Sequence, residues 1–352
     1  MAINQWDPQS LPISPGLYTN FVEAAIAQSS GGTRGIVAIP LMTYTGGTAQ
    51  AKTFYTIRKE SEAVPLFGEA NIQSIKFALQ GGAKEILVYT MPSSPVTQDY
   101  ADMRDAFEAR PFNVFVFDGD PSPAERTNTL GWLQTNRAER KHFFFVTGGT
   151  VADDANPTTG NARSVALKDD YVINLISNVT IDGTIYSSGK YAAYLAGLVA
   201  ATPINRSITY MKVNVDDVAK RLRNSEIKTA LEAGSTILVN DGEVVKIEQG
   251  LTTNKTKIRT ISARQQVATD IEKTARDNYI GKLDNNEDGQ VALINAIKAY
   301  LETLETDNVL VLPEDGGVIL DPQRPSVGDA VFLSISYIEI DSMERIFLTI
   351  NV

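Results

Sequence analysis

NIQSIKFALQGGAKEILVYT, residues 71–90, holds the pattern on which the fold of this chain turns. Ile72, Ile75 and Leu79 recur at the spacing of one helical face, Gly81 and Gly82 stop the helix, and KEILVYT follows as a nearly unbroken apolar run. A strand that is apolar on both faces belongs inside a sheet covered on both sides. The pattern then repeats. QDYADMRDAFEAR (98–110) is an amphipathic helix stopped by Pro111, and FNVFVFD (112–118) is the next strand. SPAERTNTLGWLQTN (122–136) starts with Ser122 as cap and Pro123 at the first helical position, and HFFFVTGG (142–149) is again a strand. YVINLIS, the small-residue helix SSGKYAAYLAGLVA (187–200), ITYMKV, the helix in NSEIKTALEAG and STILVND complete the series. Strand and helix in alternation predict an α/β domain over 70–240, built on a mostly parallel sheet.

The flanks differ. Residues 1–33 carry Pro8, Pro12 and Pro15 without a helical period and are expected to form an extended arm. Residues 34–69 start with the short strand RGIVAIP and continue as loop with some strand, packed on the body. EVVKIEQGLTTNKTKIRTISA (243–263) predicts two strands around a polar turn. Two helices follow: Val267, Ile271, Ala275 and Tyr279 share one face, and Val291, Ile294, Ile297, Leu301 and Leu304 share another. A small α+β domain is therefore expected over 241–329, ending in the linker DGGVILDPQRPSVGD (315–329). The last stretch, 330–352, contains two β-rich runs, 331–340 and 344–352, that continue to the final residue and need a partner at an open edge.

Composition excludes several function classes. The chain has 352 residues, 43% apolar and 21% charged, a net charge of −10 and no cysteine. Acidity argues against a nucleic-acid surface, and the lack of cysteine excludes disulfides and thiolate metal sites. YAAYLAGLVAA (191–201) is about half a membrane span, so no membrane insertion is expected. No Lys or Arg precedes Arg34, so the basic start of a signal peptide is missing and a soluble protein made in the cytosol is expected.

Three constellations could carry chemistry. Asp118, His142 and Ser187 or Ser188 stand in the chain order of a subtilisin-type triad, but no G-x-S-x-G elbow accompanies them. The bland alternative makes His142 a strand-end residue and the two serines helix caps. GTIYSSGKY (183–191) sits where a phosphate loop would sit, with the wrong glycine spacing and Tyr191 in place of the hydroxyl. DNNEDG (284–289) matches the start of an EF-hand loop, but Asn295 falls where a bidentate glutamate should close it, so a polar turn and helix cap is the competing reading. No cofactor is expected. Charge is also segregated. Lys255, Lys257, Arg259 and Arg264 occur without an acid between them, whereas Asp284, Glu287, Asp288, Glu302, Glu305 and Asp307 face only Lys298. These are either two solvated faces or complementary contacts between copies.

In four segments the chain resembles the contractile tail sheath proteins of phages and phage-tail-like bacteriocins: PGLYTNFVEAA (15–25), RGIVAIP (34–40), GGAKEILVYTM (81–91) and TISARQQVATDIEKTARDNYIGKLDNNEDGQVALINAIKAYLETLE (260–305). The last carries the family's Y-[IV]-G-K-x-x-N as Tyr279, Ile280, Gly281, Lys282 and Asn285, with the polar turn at 286–289. The resemblance implies a central domain of subtilisin-like architecture without a protease's working residues. It implies a structural subunit that polymerises as stacked hexameric rings around an inner tail tube protein, meets baseplate and tail terminator proteins, and contracts to drive the tube through a cell envelope. The subunit would be assembled in a bacterial host's cytoplasm and reside in a virion tail or tail-like particle. Both chain ends would be donated to neighbours as strands: Leu17, Tyr18, Thr19, Asn20 and Phe21 from one arm, and Glu344, Arg345, Ile346, Phe347, Leu348, Thr349 and Ile350 from the other. Lys255, Lys257, Arg259, Arg264, Glu302 and Glu305 would be charged contacts to other sheath subunits or the tube. A serine hydrolase (Asp118, His142, Ser188) and a calcium module at 284–295 are the alternatives.

Overall fold

The computed structural model describes residues 34–350, so the expected N-terminal arm, with Leu17–Phe21, lies outside the described residues. The described chain divides into two compact units. The larger contains residues 34–269 and 340–350, the smaller Asp270–Glu339.

The larger unit begins with β1 (Ile36–Leu41), β2 (Phe54–Ile57), α1 (Glu60–Phe67), α2 (Gln73–Gln80), β3 (Glu85–Thr90), α3 (Thr97–Glu108), β4 (Val114–Val116) and α4 (Pro123–Ala138). It continues with β5 (Phe144–Thr147), α5 (Val151–Asp154), α6 (Pro157–Ala166) and β6 (Val172–Asn174). One six-stranded sheet runs β2-β3-β1-β4-β5-β6. All pairings are parallel except β2 with β3. The parallel part changes its direction of growth at β1, which creates a topological switch point between β1 and β4.

Both faces are covered, as the apolar strands require. Phe115 of β4 meets Phe107 of α3 and Trp132 of α4 at 5.6 and 5.4 Å between ring centres. Strand alternation turns Val114 and Val116 to the opposite face, where α7 (Ser188–Ala201) packs on β4 and β5. This helix is buried on nearly every side, which explains its lack of amphipathic period. Its small residues allow close approach: a Cβ on Gly197 would collide with the carbonyl of Ala78 in α2. Before α7 lie β7 (Val179–Ile181) and β8 (Thr184–Tyr186), and after it β9 (Lys212–Val213), β10 (Asp217–Val218), α8 (Asn224–Glu232), β11 (Leu238–Asn240) and β12 (Val245–Ile247). They make two three-stranded sheets, β10-β7-β8 and β11-β12-β9.

Several expectations are corrected. Residues 34–69 contain helix α1 as well as strand. Two helices, α5 and α6, lie between β5 and YVINLIS, where the apolar pattern assigns no element. ITYMKV is a strand only at Lys212–Val213, because Tyr210 takes a positive φ of 58° that breaks the ladder. The second strand expected near residue 260 is instead the start of α9 (Ile258–Asn278), preceded by a single bridge between Leu251 and Lys257.

The boundary between the units falls inside α9. In the smaller unit, Ile271 and Ala275 of α9 and Tyr279, just past its end, line a shallow pocket with Leu293, Ala296, Ile297 and Tyr300 of α10 (Glu287–Thr306). The Tyr300 hydroxyl donates to Asp270 at 2.9 Å. Beyond α10 come β13 (Leu310–Val311), β14 (Val318–Leu320), β15 (Leu333–Ile335) and β16 (Ile338–Glu339). They form two antiparallel ribbons, β13-β16 and β14-β15, of two strands each. Of the expected run 331–340 only these five residues are strand, and 340–350 have no regular structure.

Candidate functional site

The carboxyl ends of parallel strands are where an α/β sheet would bind a ligand, at the switch point above all. Here that place is filled by the protein's own groups. Asp118, just beyond β4, accepts from the Met42 amide at 3.1 Å, which bridges the ends of β1 and β4, and from Ser74 Oγ at 2.6 Å. Burial pushes its carboxyl upward. His142 lies two residues before β5, with Nδ1 3.0 Å from the Tyr171 hydroxyl. Ser188 Oγ is 2.6 Å from Asp154 and accepts from the Gly149 amide at 2.7 Å. Asp118, His142 and Ser188 therefore make no hydrogen bond to one another, and the hydrolase reading is corrected: Ser188 has no imidazole in reach and, fully buried, no access for a substrate.

The serines do helix-capping work instead. Ser187 caps α7, accepting from the Lys190 amide at 3.2 Å, and its hydroxyl reaches Asp120 at 3.2 Å. Asp154 accepts the Ser188 amide at 2.6 Å. Two carboxylates thus occupy the N-terminus of α7, where unsatisfied amides and the helix dipole favour negative charge. A phosphate would need that same seat. Burial raises the Asp154 carboxyl to about 7 and also raises Asp120. Burial lowers the guanidinium groups of Arg126 and Arg163, whose charges oppose the rise at Asp120. The result is a closed network of buried charges with no open nucleophile.

DNNEDG performs the alternative role anticipated for it. Asn286 caps α10 by accepting from the Gly289 amide at 2.8 Å, and Asn285 donates to the Gly328 carbonyl at 2.8 Å. No group of three or more His, Cys, Asp or Glu among the described residues is arranged to hold a metal ion.

Of the charged contact candidates, Lys255 and Arg264 are exposed, and Glu302 is exposed on α10. Glu305 is half-buried and accepts from the Leu312 amide at 2.8 Å. Lys257 and Arg259 are engaged within their own unit: Lys257 Nζ lies 2.7 Å from Asp341 and 3.2 Å from Glu344, and Arg259 donates to Ser342 at 2.8 Å. Burial disfavours the Lys257 ammonium, but the two carboxylates outweigh it and hold its pKa above the ordinary value. Glu344 is therefore seated on its own body.

Beyond Glu344 the chain leaves the surface. Arg345, Ile346, Phe347, Leu348, Thr349 and Ile350 are all exposed, Phe347 by 92%. Four large apolar side chains, Ile346, Phe347, Leu348 and Ile350, thus stand in water. The smaller unit offers matching features, since the ribbons β13-β16 and β14-β15 have no further strand on either side among the described residues, and Val311, Ile319, Leu320 and Ile338 on them are exposed. Sequence reasoning found the apolar tail but missed the socket around Glu344, because its members are scattered polar residues without any periodicity.

Known proteins place the chain. The model of the phage tail sheath protein central domain matches residues 94–253, and that of the phage tail sheath C-terminal domain matches 252–352. The tail sheath protein of Clostridium phage phiCD119 is 22% identical over 310 residues, covering 84% of this chain and 79% of its own. The sheath tail protein from Desulfitobacterium hafniense has the same fold, with a TM-score of 0.76 at 19% identity over 95% of this chain and 99% of that one. The helical sheath of the anti-feeding prophage in its contracted state gives 0.71 at 15% identity, covering 97% and 99%. With its catalytic readings closed by geometry and two adjoining sheath domains matched over 94–352, this chain is a structural protein and belongs to the phage tail sheath family.

Proposed function

We propose that the protein polymerises as hexameric rings stacked helically around an inner tail tube, and contracts to drive that tube through a target cell envelope. The observation that carries this reading is the exposed apolar segment 345–350, which has no strand partner among the described residues. Donated to an open ribbon edge of a neighbour, it completes backbone hydrogen bonding there, which is strand addition between copies. A two-stranded ribbon is marginal alone and gains from a third strand. The Leu17–Phe21 segment is the second donated strand. Similarity to a sheath in its contracted state supports contraction as the working stroke.

No active site is required. The energy is the difference between two packings of one subunit, a switch summed over many copies. Helices α9 and α10 are the candidates for gripping the tube, with Lys255, Arg264 and Glu302 as charged contacts to the tube or to neighbouring subunits. Baseplate and tail terminator proteins bound the polymer, which is assembled in the host cytoplasm. The sheet β2-β3-β1-β4-β5-β6 is read as subtilisin-like architecture put to structural use.

The test is removal of residues 345–352. Burial of Ile346, Leu348 and Ile350 at ~1.5 kcal/mol each amounts to roughly a thousandfold in association. The truncated protein is expected to remain folded and sediment as a monomer where the full chain forms striated tubes in negative stain. Tubes formed by the truncated protein at the usual concentration refute strand donation.

A further inference from the structure

The tail does not simply hang from the body. Glu344 is held at its root, with its side chain only 7% exposed. Its Oε1 lies 3.2 Å from Ser207 Oγ and 2.9 Å from Thr209 Oγ1, and its Oε2 accepts from Gln249 Nε2 at 2.8 Å and sits 3.2 Å from Lys257 Nζ. These partners come from three separate places in the chain: the segment before β9, the segment after β12, and the approach to α9. The Gly250 amide donates to Thr209 Oγ1 at 3.1 Å and holds that hydroxyl in place. Two further contacts flank the socket, Lys257 with Asp341 and Arg259 with Ser342. Between them Met343 points into solvent, 91% exposed. Residues 341–344 are thus fixed through their side chains, and residues 345–350 after them are exposed.

The residues that follow alternate. Ile346, Leu348 and Ile350 fall on one face of an extended strand, and Arg345, Phe347 and Thr349 on the other. A slip of one residue would exchange the two faces. A buried carboxylate is tolerated only when its oxygens are matched by donors, so the Glu344 socket accepts one residue at one position and nothing adjacent in sequence.

Resting on strand donation as the assembly mode, we propose that the Ser207–Thr209–Gln249–Lys257 socket is a register anchor. It binds the Glu344 carboxylate so that the donated strand leaves its body at a fixed residue and reaches the neighbouring copy in one pairing only. Glu344 is therefore a positioning residue that stays at home, and the strand passed to the partner begins at Arg345. The same arrangement lowers the entropy lost at assembly, because the root of the arm is already ordered.

The experiment uses the full chain, which has no native cysteine. A spin label on Met343→Cys reports arm-root mobility in the dissociated protein, and tube formation is followed by sedimentation and negative stain. In the otherwise native chain the label, though it faces solvent, is expected to be restricted by the anchored backbone on either side of it. Glu344→Ala is expected to free it, leave the body folded, and raise the concentration needed for tubes by about tenfold or more, with irregular striation. Lys257→Met should reproduce both effects more weakly, since the hydroxyls and Gln249 remain. A label equally immobile in Glu344→Ala overturns the anchor. A freed label with tubes of normal order at the normal concentration overturns its register role. Normal tubes from the chain lacking 345–352 would sink strand donation instead, while the mobility result still decides whether the socket holds Glu344.

Discussion

Asp154 gives a sharp test of the buried network at the head of α7. Its ordinary pKa is 3.8, and burial raises it to about 7 in the folded protein, against the opposing hydrogen bonds from Ser188 and the charge of Arg163. The folded state therefore holds a proton that the unfolded chain has already released. Below pH ~4 both states are protonated and the group contributes no pH dependence. Between pH ~4 and ~7 folding takes up a proton, so stability falls as pH rises, at ~1.4 kcal/mol for each tenfold fall in proton concentration. Above pH ~7 both states are ionised and the loss is complete, at about 4 kcal/mol. Asp154→Asn removes the titration while keeping an acceptor for the Ser188 amide and a donor for its hydroxyl. Relative to the native chain, the variant should gain about 4 kcal/mol between pH 4 and pH 8. Urea unfolding followed by fluorescence of the buried Trp132, at one-unit pH steps, measures this. Asp118 is shifted in the same direction but is present in both proteins and cancels in the comparison, whereas Asp120 repels Asp154 and its own rise should ease slightly in the variant. Parallel stability profiles for the two proteins across that range would refute the assignment.

Two further substitutions test the packing of the larger unit. Arg104 and Glu125 form a nearly buried ion pair at 2.7 Å between α3 and α4, so Glu125→Ala should cost ~3–5 kcal/mol in urea unfolding, whereas Arg104→Met with Glu125→Leu should come out near the native value. A single substitution costing less than the double one would contradict this. Gly197→Ala should destabilise by about 3 kcal/mol, because the new methyl meets the Ala78 carbonyl across the α2–α7 contact. Gly131→Ala in α4, where nothing lies within 4 Å, should instead stabilise by ~0.5–1 kcal/mol, and equal shifts in the two melting curves would argue against the close approach.

Much of the sheath fold was legible from apolar periodicity. The α2–β3 unit, the strands β4 and β5, and the capped start of α4 at Ser122 and Pro123 stand where residues 71–147 place them. Helix α6 was not legible, because the face it buries is polar. Asn161 and Ser164 bond through Ser235, and Asn174 closes the network, so no apolar stripe marks the helix. Its start signals, Asn156 followed by Pro157, were present in the sequence but had no period behind them.

The chain's own sequence determined which segments must be buried and left an apolar end that its body does not cover, since side-chain polarity and local spacing are properties of neighbours along the chain. Only tertiary structure decided where those pieces meet. It closed the catalytic readings by sending Asp118 to Ser74 and Ser188 to Asp154, and it drew Ser207, Thr209, Gln249 and Lys257 around Glu344. Polar sockets of this kind are assembled from distant residues by hydrogen bonding. Hydrogen bonding sets distance and direction in space and leaves no period in sequence.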